Sequence, residues 1–329
     1  MQAPRAILFI RTDRLGETVL NLPAVAALDA AWPEASITLL VHPALEPLVG
    51  RAIGVDRVLA APADGAAWWV QAGRIHRLVR PHRFDAAIVS NPTKAAHVAV
   101  WLAGIPQRVG YARKWGRWLL THRIEDRKAL GDRHEVECNL DLVRLLGATT
   151  TPGPSVFPKL TRERDEVRRL LDGEGLASSR PFIAVHPWTS NPAKQWPLDR
   201  FRALIERIAG PLGVPVVVIG QPEDGGRMPT GIERRGAVIN LIDRLSLPQL
   251  AALLQEARLL VSNDSGPVHV AAAVGTETVV LFSTSRAGTG PRRWGPWGPG
   301  HVVLDAPSMG AISVDDVFAA VQRVVGHAS

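Results

Sequence analysis

The chain has 329 residues, 46% of them apolar, a mean hydropathy of +0.06 and one cysteine, Cys138. That length exceeds what a single core serves, so two domains are expected; the lone cysteine excludes an internal disulfide and a thiolate metal cluster, and no apolar run approaches the ~20 residues of a membrane span. A net charge of +7 and a sequence pI near 10.4 imply an anionic partner, whether phosphorylated substrate, membrane surface or nucleic acid.

In chain order, residues 6–10 (AILFI) form a continuous apolar run, the pattern of a strand buried on both faces. The run is too short for a signal-peptide core, and together with the cysteine usage it leads us to expect a cytoplasmic protein. A turn at 11–17 (RTDRLGE) leads into a helix carrying Val19, Leu20, Leu22, Val25, Ala26 and Leu28. Strands are expected at 36–41, 56–59 and 86–90, and a helix at about 94–103. Residues 149–158 (TTTPGPSVFP) read as a linker. The alternation then restarts, with strands at 182–185, 214–219, 259–262 and 278–282 and helices at 198–208, 246–256 and 268–274. The 246–256 helix is entered through a Ser-Leu-Pro start signal, and Ser313 opens a final amphipathic helix. Strands alternating with helices make this an α/β protein of two doubly wound parallel-sheet halves, 1–155 and 156–312, facing a cleft. Ligands in such sheets bind beyond the carboxyl ends of the strands.

Four segments can carry chemistry there. Asn263-Asp264-Ser265-Gly266-Pro267-Val268-His269 runs from a strand into a helix, where backbone N–H groups and the helix dipole suit a diphosphate. Ser265 adds a hydroxyl, and Asp264 suits a sugar hydroxyl better than a phosphate. The alternative is that Asp264 or Ser265 only caps the helix and that His269 is structural. The 186–197 loop supplies Thr189, Ser190 and Lys194; a lysine aimed at a leaving diphosphate neutralises developing charge, and the alternative is an exposed loop lysine. Glu223, after another strand, can take ribose hydroxyls. In the first half, Asp13 and Glu17 share a strand-to-helix turn, where a carboxylate can act as a base or simply favour the helix N-terminus.

Between residues 108 and 133 there are eight Lys/Arg against three Asp/Glu, with Tyr111, Trp115 and Trp118 interleaved. This reads either as a solvated face or as a rim that meets phosphates and lipid headgroups. No G-x-G-x-x-G follows the first strand, which weakens a dehydrogenase reading, and there is no P-loop. Neither an Asp-x-Asp triplet nor a tight His/Glu cluster calls for a divalent metal. Nucleic acid is disfavoured, since no base-reading element accompanies the charge.

Taken together, residues 11–23 (RTDRLGETVLNLP), Lys194-x-Trp196-Pro197 leading to Phe201 and Leu204, and Asp264-Ser265-Gly266-Pro267-x-His269-x-Ala271-Ala272 resemble glycosyltransferase family 9, the ADP-heptose:lipopolysaccharide heptosyltransferases. His134-Glu135-Val136-Glu137 and Leu247-x-x-Leu250 also fit. The resemblance implies a GT-B fold of two Rossmann-like domains, with the final helix (313–327) crossing back to the first. It implies an inverting, metal-independent transfer of heptose from ADP-L-glycero-D-manno-heptose to a Kdo or heptose of the lipopolysaccharide inner core, without a cofactor. Glu17, with Asp13 as an auxiliary, would be the base. Lys194 would hold the diphosphate, Asp264 the heptose, Ser265 and Gly266 the phosphates and Glu223 the ribose, with Thr189, Ser190 and His269 completing the donor site. Arg14, Arg113, Lys114 and Arg117 would meet an anionic glycolipid acceptor, with peripheral contact at the inner membrane's cytoplasmic face. Two positions depart from the family pattern. Glu17 stands where it has aspartate, and Ser283 follows Phe282 where it often has glycine. The extra methylene at Glu17 moves the carboxylate by roughly an ångström, a displacement that can cost about 100-fold in rate.

Overall fold

The apolar, β-branched runs form the centres of two parallel sheets. A computed structural model of the chain describes residues 3–62, 64–177, 180–221, 237–284 and 288–326. The chain divides into two units, Met1–Pro158 and Lys159–Ser329, so the break falls at the end of the Pro-rich segment, three residues beyond the expected 155.

The first unit contains β1 (Ala6–Arg11), α1 (Leu15–Val19), α2 (Leu22–Ala31), β2 (Ser36–Val41), α3 (Glu46–Val49) and β3 (Arg57–Ala60). It continues with α4 (Trp68–Val79), β4 (Ala86–Val89), α5 (Lys94–Leu102), β5 (Gln107–Ala112), β6 (His122–Glu125) and α6 (Glu135–Arg144). The sheet order is β3-β2-β1-β4-β5-β6, all parallel, with β1 central between β2 and β4. Ile7, Leu8, Phe9 and Ile10 are fully buried or nearly so, as expected of a strand covered on both faces. Ala72, Ile75 and Val79 of α4 and Ala95, Ala96, Ala99 and Val100 of α5 cover one face. The single helix expected after the first turn is two: α1 ends at Val19, and α2 starts after Asn21 with Pro23 in its first turn. Proline cannot donate a helical hydrogen bond in a helix interior but is tolerated at a helix start, so it marks the restart.

The second unit contains α7 (Thr161–Gly173), β7 (Ile183–His186), α8 (Leu198–Ala209), β8 (Val216–Val218), β9 (Val238–Asn240) and α9 (Leu247–Glu256). It closes with β10 (Leu259–Asn263), α10 (Gly266–Ala273), β11 (Thr278–Ser283), α11 (Pro291–Trp294), β12 (His301–Ala306) and α12 (Val314–Gly326). Its sheet runs β12-β11-β10-β7-β8-β9, again parallel throughout. The Ser-Leu-Pro signal holds: Ser246 and Gln249 form a reciprocal capping box at the head of α9.

The final helix differs from expectation. Rather than serving the first domain, α12 places Val317, Phe318, Ala320, Val321 and Val324 in the core of the second unit with Phe201, Leu204 and Ile208 of α8. Its apolar stripe covers the sheet there. Arg207 pairs with Asp315 at 2.5 Å, and Arg258 Nη2 donates to the Val325 carbonyl at 2.9 Å.

Trp196 joins this helix entry to the loop after β7. It is fully buried, meets Phe201 edge-on with centroids 4.8 Å apart, and donates from Nε1 to the Ile312 carbonyl at 2.9 Å. Trp196→Ala is expected to cost about 3–5 kcal/mol, and Trp196→Phe, which removes the indole donor from a carbonyl that Arg200 still reaches, about 0.5–1.5 kcal/mol, both read from denaturant melts.

Candidate functional site

In the second unit the residues singled out in sequence converge at the carboxyl ends of β7 and β10, which are neighbours in register (Ser262 opposite His186). Asn263, fully buried, accepts from Trp196 N at 3.0 Å and donates to the Pro187 carbonyl at 2.9 Å. One amide therefore ties both ends of the 186–197 loop to the end of β10. Asn191 caps the 3₁₀ turn Pro192–Lys194 by accepting from Ala193 N at 3.1 Å. That turn aims Lys194 at Asp264, with Nζ to Oδ2 at 2.5 Å.

Asp264 is 7% exposed, and burial raises its carboxyl above the usual carboxylate range, with Lys194 opposing the rise. Ser265 occupies the N-cap position of α10, yet its side chain makes no cap hydrogen bond. Its hydroxyl lies 2.9 Å from Ser262 Oγ and 3.2 Å from His186 Nδ1. Capping therefore does not account for Ser265. Gly266 follows with a backbone N–H and no side chain, while Pro267 brings no N–H, so the helix start offers a short anion-facing edge. His269 is buried one turn into α10. Thr189 accepts from Asn191 N at 3.4 Å, and Ser190 is exposed. Gly220, after β8, abuts Trp188: a Cβ there would lie 2.7 Å from the indole. Glu223 lies outside the described residues.

In the first unit, Glu17 lies half-buried in α1, and its carboxylate has no ion pair or hydrogen bond among the described residues. Asp13, by contrast, is occupied. Arg11 Nε donates to it at 2.6 Å and Asn91 Nδ2 at 3.3 Å. Arg14 is exposed at the head of α1. Arg113 and Arg117 are exposed at and beyond the end of β5, with Lys114 in the same 3₁₀ turn. Arg113 lies 4.0 Å from Asp126, and the Arg117 guanidinium sits 4.7 Å from the Trp118 ring centre.

The basic 108–133 stretch is not one continuous rim. Arg108 turns inward to the carbonyls of Leu119 (2.7 Å) and Ile105 (2.5 Å). Lys128 is mostly buried against Glu135 and Asn139, and burial lowers its pKa. Sequence reasoning missed the polar residues that hold both sites: Asn263 in the second unit, and Arg11, Asn21, Ser90, Lys128 and Asn139 in the first. An isolated asparagine inside an apolar run is the one signal that points to Asn21. Among the described residues, no cluster of His, Cys, Asp or Glu is placed to hold a metal ion, and no helix is long and apolar enough to cross a membrane.

The sequence profile of Glycosyltransferase family 9 (heptosyltransferase) matches residues 72–313, more than half of the chain. The chain belongs to glycosyltransferase family 9. It is a glycosyltransferase, and the family match takes in the Lys194 loop and the Asp264–His269 segment but stops short of Glu17. Among curated relatives, lipopolysaccharide heptosyltransferase 2 of Escherichia coli K12 is 28% identical over 290 residues, covering 85% of this chain and 83% of its own. A family 9 glycosyl transferase from Veillonella parvula superposes with a TM-score of 0.89 at 22% identity, covering 100% of this chain and 99% of its own. The E. coli heptosyltransferase WaaC, solved with ADP-2-deoxy-2-fluoro heptose, superposes at 0.75 and 19% identity, covering 97% and 99%. These likenesses place both units in the GT-B fold of the family.

The Lys194–Asp264 pair yields a pH test. A carboxyl whose folded pKa lies above its unfolded value costs stability as pH rises through that interval, because ionising it in the fold is unfavourable. Lys194→Met removes the opposing cation and enlarges the shift. Its Tm deficit relative to wild type is expected to widen from pH 5 to pH 8 in thermal melts; a deficit constant across that range counts against the pair.

Proposed function

We propose that this family 9 enzyme moves heptose from ADP-L-glycero-D-manno-heptose to a Kdo or heptose of the lipopolysaccharide inner core. The observation that carries the reading is the buried Asp264 held against Lys194 beside the start of α10. A cation, a carboxylate and a helix N-terminus in one place match the diphosphate, the sugar hydroxyls and the phosphate oxygens of one donor. The names of the relatives and the ligand in the WaaC structure support the same donor class.

The transfer is a single inverting displacement. The acceptor hydroxyl oxygen bonds to the anomeric carbon, the bond from that carbon to the β-phosphate oxygen breaks, ADP departs, and Glu17 takes the hydroxyl proton. The half-buried Glu17 carboxylate, without a partner among the described residues, suits this role better than Asp13, which Arg11 neutralises. Lys194 supplies the countercharge to the leaving diphosphate, so the reading needs no divalent cation. Gly266 and Ser265 take phosphate oxygens, Thr189 and Ser190 add hydroxyls, His269 completes the motif, and Glu223 takes the ribose. Arg14, Arg113, Lys114 and Arg117 meet the acceptor's anionic groups. Trp118, 68% exposed with Arg117 and Arg123 at 4.7 and 5.6 Å from its ring centre, supports peripheral contact with an anionic membrane face.

The test is turnover of ADP-L-glycero-D-manno-heptose with Kdo-lipid A and with heptosylated core acceptors, read as ADP released and acceptor mass gained. Glu17→Gln is expected to lower kcat by about 10²–10⁴-fold. Release of a different nucleotide from a donor panel redirects the reading to another sugar. Binding without turnover on any donor points to a nucleotide-sugar sensor. Vesicles separate the membrane contact: Trp118→Ala is expected to reduce co-sedimentation with anionic phosphatidylglycerol vesicles, and equal sedimentation with neutral phosphatidylcholine vesicles removes it.

A further inference from the structure

α1, the helix that carries Glu17, has only five residues, far fewer than the ~12–15 an isolated helix needs to be even marginally stable. Its position must come from tertiary bonds, and a connected set of buried polar groups supplies them. Asn21 Nδ2 donates to the Glu17 carbonyl at 2.6 Å, and Asn139 Nδ2 donates to the Leu20 carbonyl at 3.2 Å. Asn21 Oδ1 in turn accepts from Ser90 Oγ at 2.5 Å. Ser90 accepts from Arg11 Nη1 at 3.2 Å, and Arg11 is held by Asp13 at 2.6 Å and lies 3.7 Å from Glu135. Lys128 closes the set, bonded to Glu135 and, at 3.3 Å, to Asn139. Two cations, Arg11 and Lys128, face two carboxylates, Asp13 and Glu135.

Three features set these contacts apart from general core packing. Asn21, Ser90, Glu135 and Asn139 are each 2% exposed or less, so each depends on its bonds within the protein. The set joins the ends of β1 and β4, the head of α6 and the break between α1 and α2, so it reaches α1 from several directions. Its two asparagine amides end on main-chain carbonyls of the last turn of α1 and the break that follows, on the same turn as the half-buried Glu17 carboxylate.

We propose that Asn21 and Ser90, anchored by the Arg11–Asp13 pair, are positioning residues that hold the Glu17 carboxylate in register with the acceptor hydroxyl. Asp13 then acts through Arg11 and is not itself a proton acceptor. The longer side chain at position 17 makes the constraint more demanding, since glutamate has one more rotatable bond to fix than aspartate. The proposal rests on Glu17 as the base.

The experiment compares Asn21→Leu, Ser90→Ala, Asp13→Asn and Glu17→Gln by two readouts: steady-state transfer from ADP-L-glycero-D-manno-heptose to heptosylated Kdo-lipid A, and backbone amide exchange of the peptide spanning 15–21. Asn21→Leu is expected to lower kcat about 100-fold with donor KM changed less than about threefold, and to speed exchange in that peptide. Ser90→Ala, the gentler variant should Asn21→Leu fold poorly, is expected to do the same to a smaller degree, about 10-fold in kcat. Asp13→Asn is expected to lower kcat while keeping the acidic limb of the pH–rate profile, which Glu17→Gln abolishes. The proposal is overturned if Asn21→Leu and Ser90→Ala leave kcat and exchange unchanged, if kcat falls without faster exchange at 15–21, or if Asp13→Asn removes the acidic limb. Full activity in Glu17→Gln would remove Glu17 as the base and this proposal with it. An inactive Glu17→Gln beside a fully active Asn21→Leu would remove this proposal alone.

Discussion

A parallel sheet sends every strand out through the same edge, and the rest of this structure follows from that constraint. In the first unit the edge collects Arg11 from β1, Ser90 after β4 and Arg113 after β5. In the second it collects His186 from β7, Gly220 after β8, Asn263 from β10 and Asp264 just after it. Interior positions of the strands are spent on burial, so the polar chemistry of each unit is concentrated where strands give way to helices.

Concentration creates an electrostatic problem, because carboxylates and cations gathered at a sheet edge lose water. Each unit meets it differently. In the second, Asp264 pairs among the described residues with Lys194, which is itself partly exposed and can share its charge with a ligand. In the first, Arg11 and Lys128 are set against Asp13 and Glu135 in a closed arrangement, and Glu17 stands apart from it. A buried pair that is complete contributes rigidity more than stability. The contrast suits one site that must exchange partners and another that must hold still.

The central strands were legible because burial on both faces leaves an unbroken apolar run. β2 matches its expected bounds, and β1, β7 and β10 differ by one residue at an end or both. Of the edge strands, β3 was expected to within one residue at each end, but β6 and β12 were not, because neither has a fully buried position and so neither shows the apolar run of a core strand. Lys194, Asp264, Ser265 and Gly266 could be nominated from residue type and placement, and they do lie together. Asn263 and Asn21 could not, because an amide's value depends on which loops reach it from residues far away in sequence. The 108–133 stretch misled for the same reason: counting charge says nothing of Arg108 and Lys128 turning inward. The last helix misled too, because an apolar stripe does not name the sheet it will cover.

The segment leading into that helix also sets an order of events during synthesis. The loop bearing Lys194 is tied through Trp196 to the carbonyl of Ile312, and Arg200 reaches the same carbonyl at 2.5 Å. All six strands of the first sheet lie before residue 126, so the first unit can assemble while the ribosome is still making the second. The second unit has no such head start. Its Lys194 loop waits for residues translated more than a hundred codons later, so the nascent chain carries a finished first sheet before the second unit's loop is fixed.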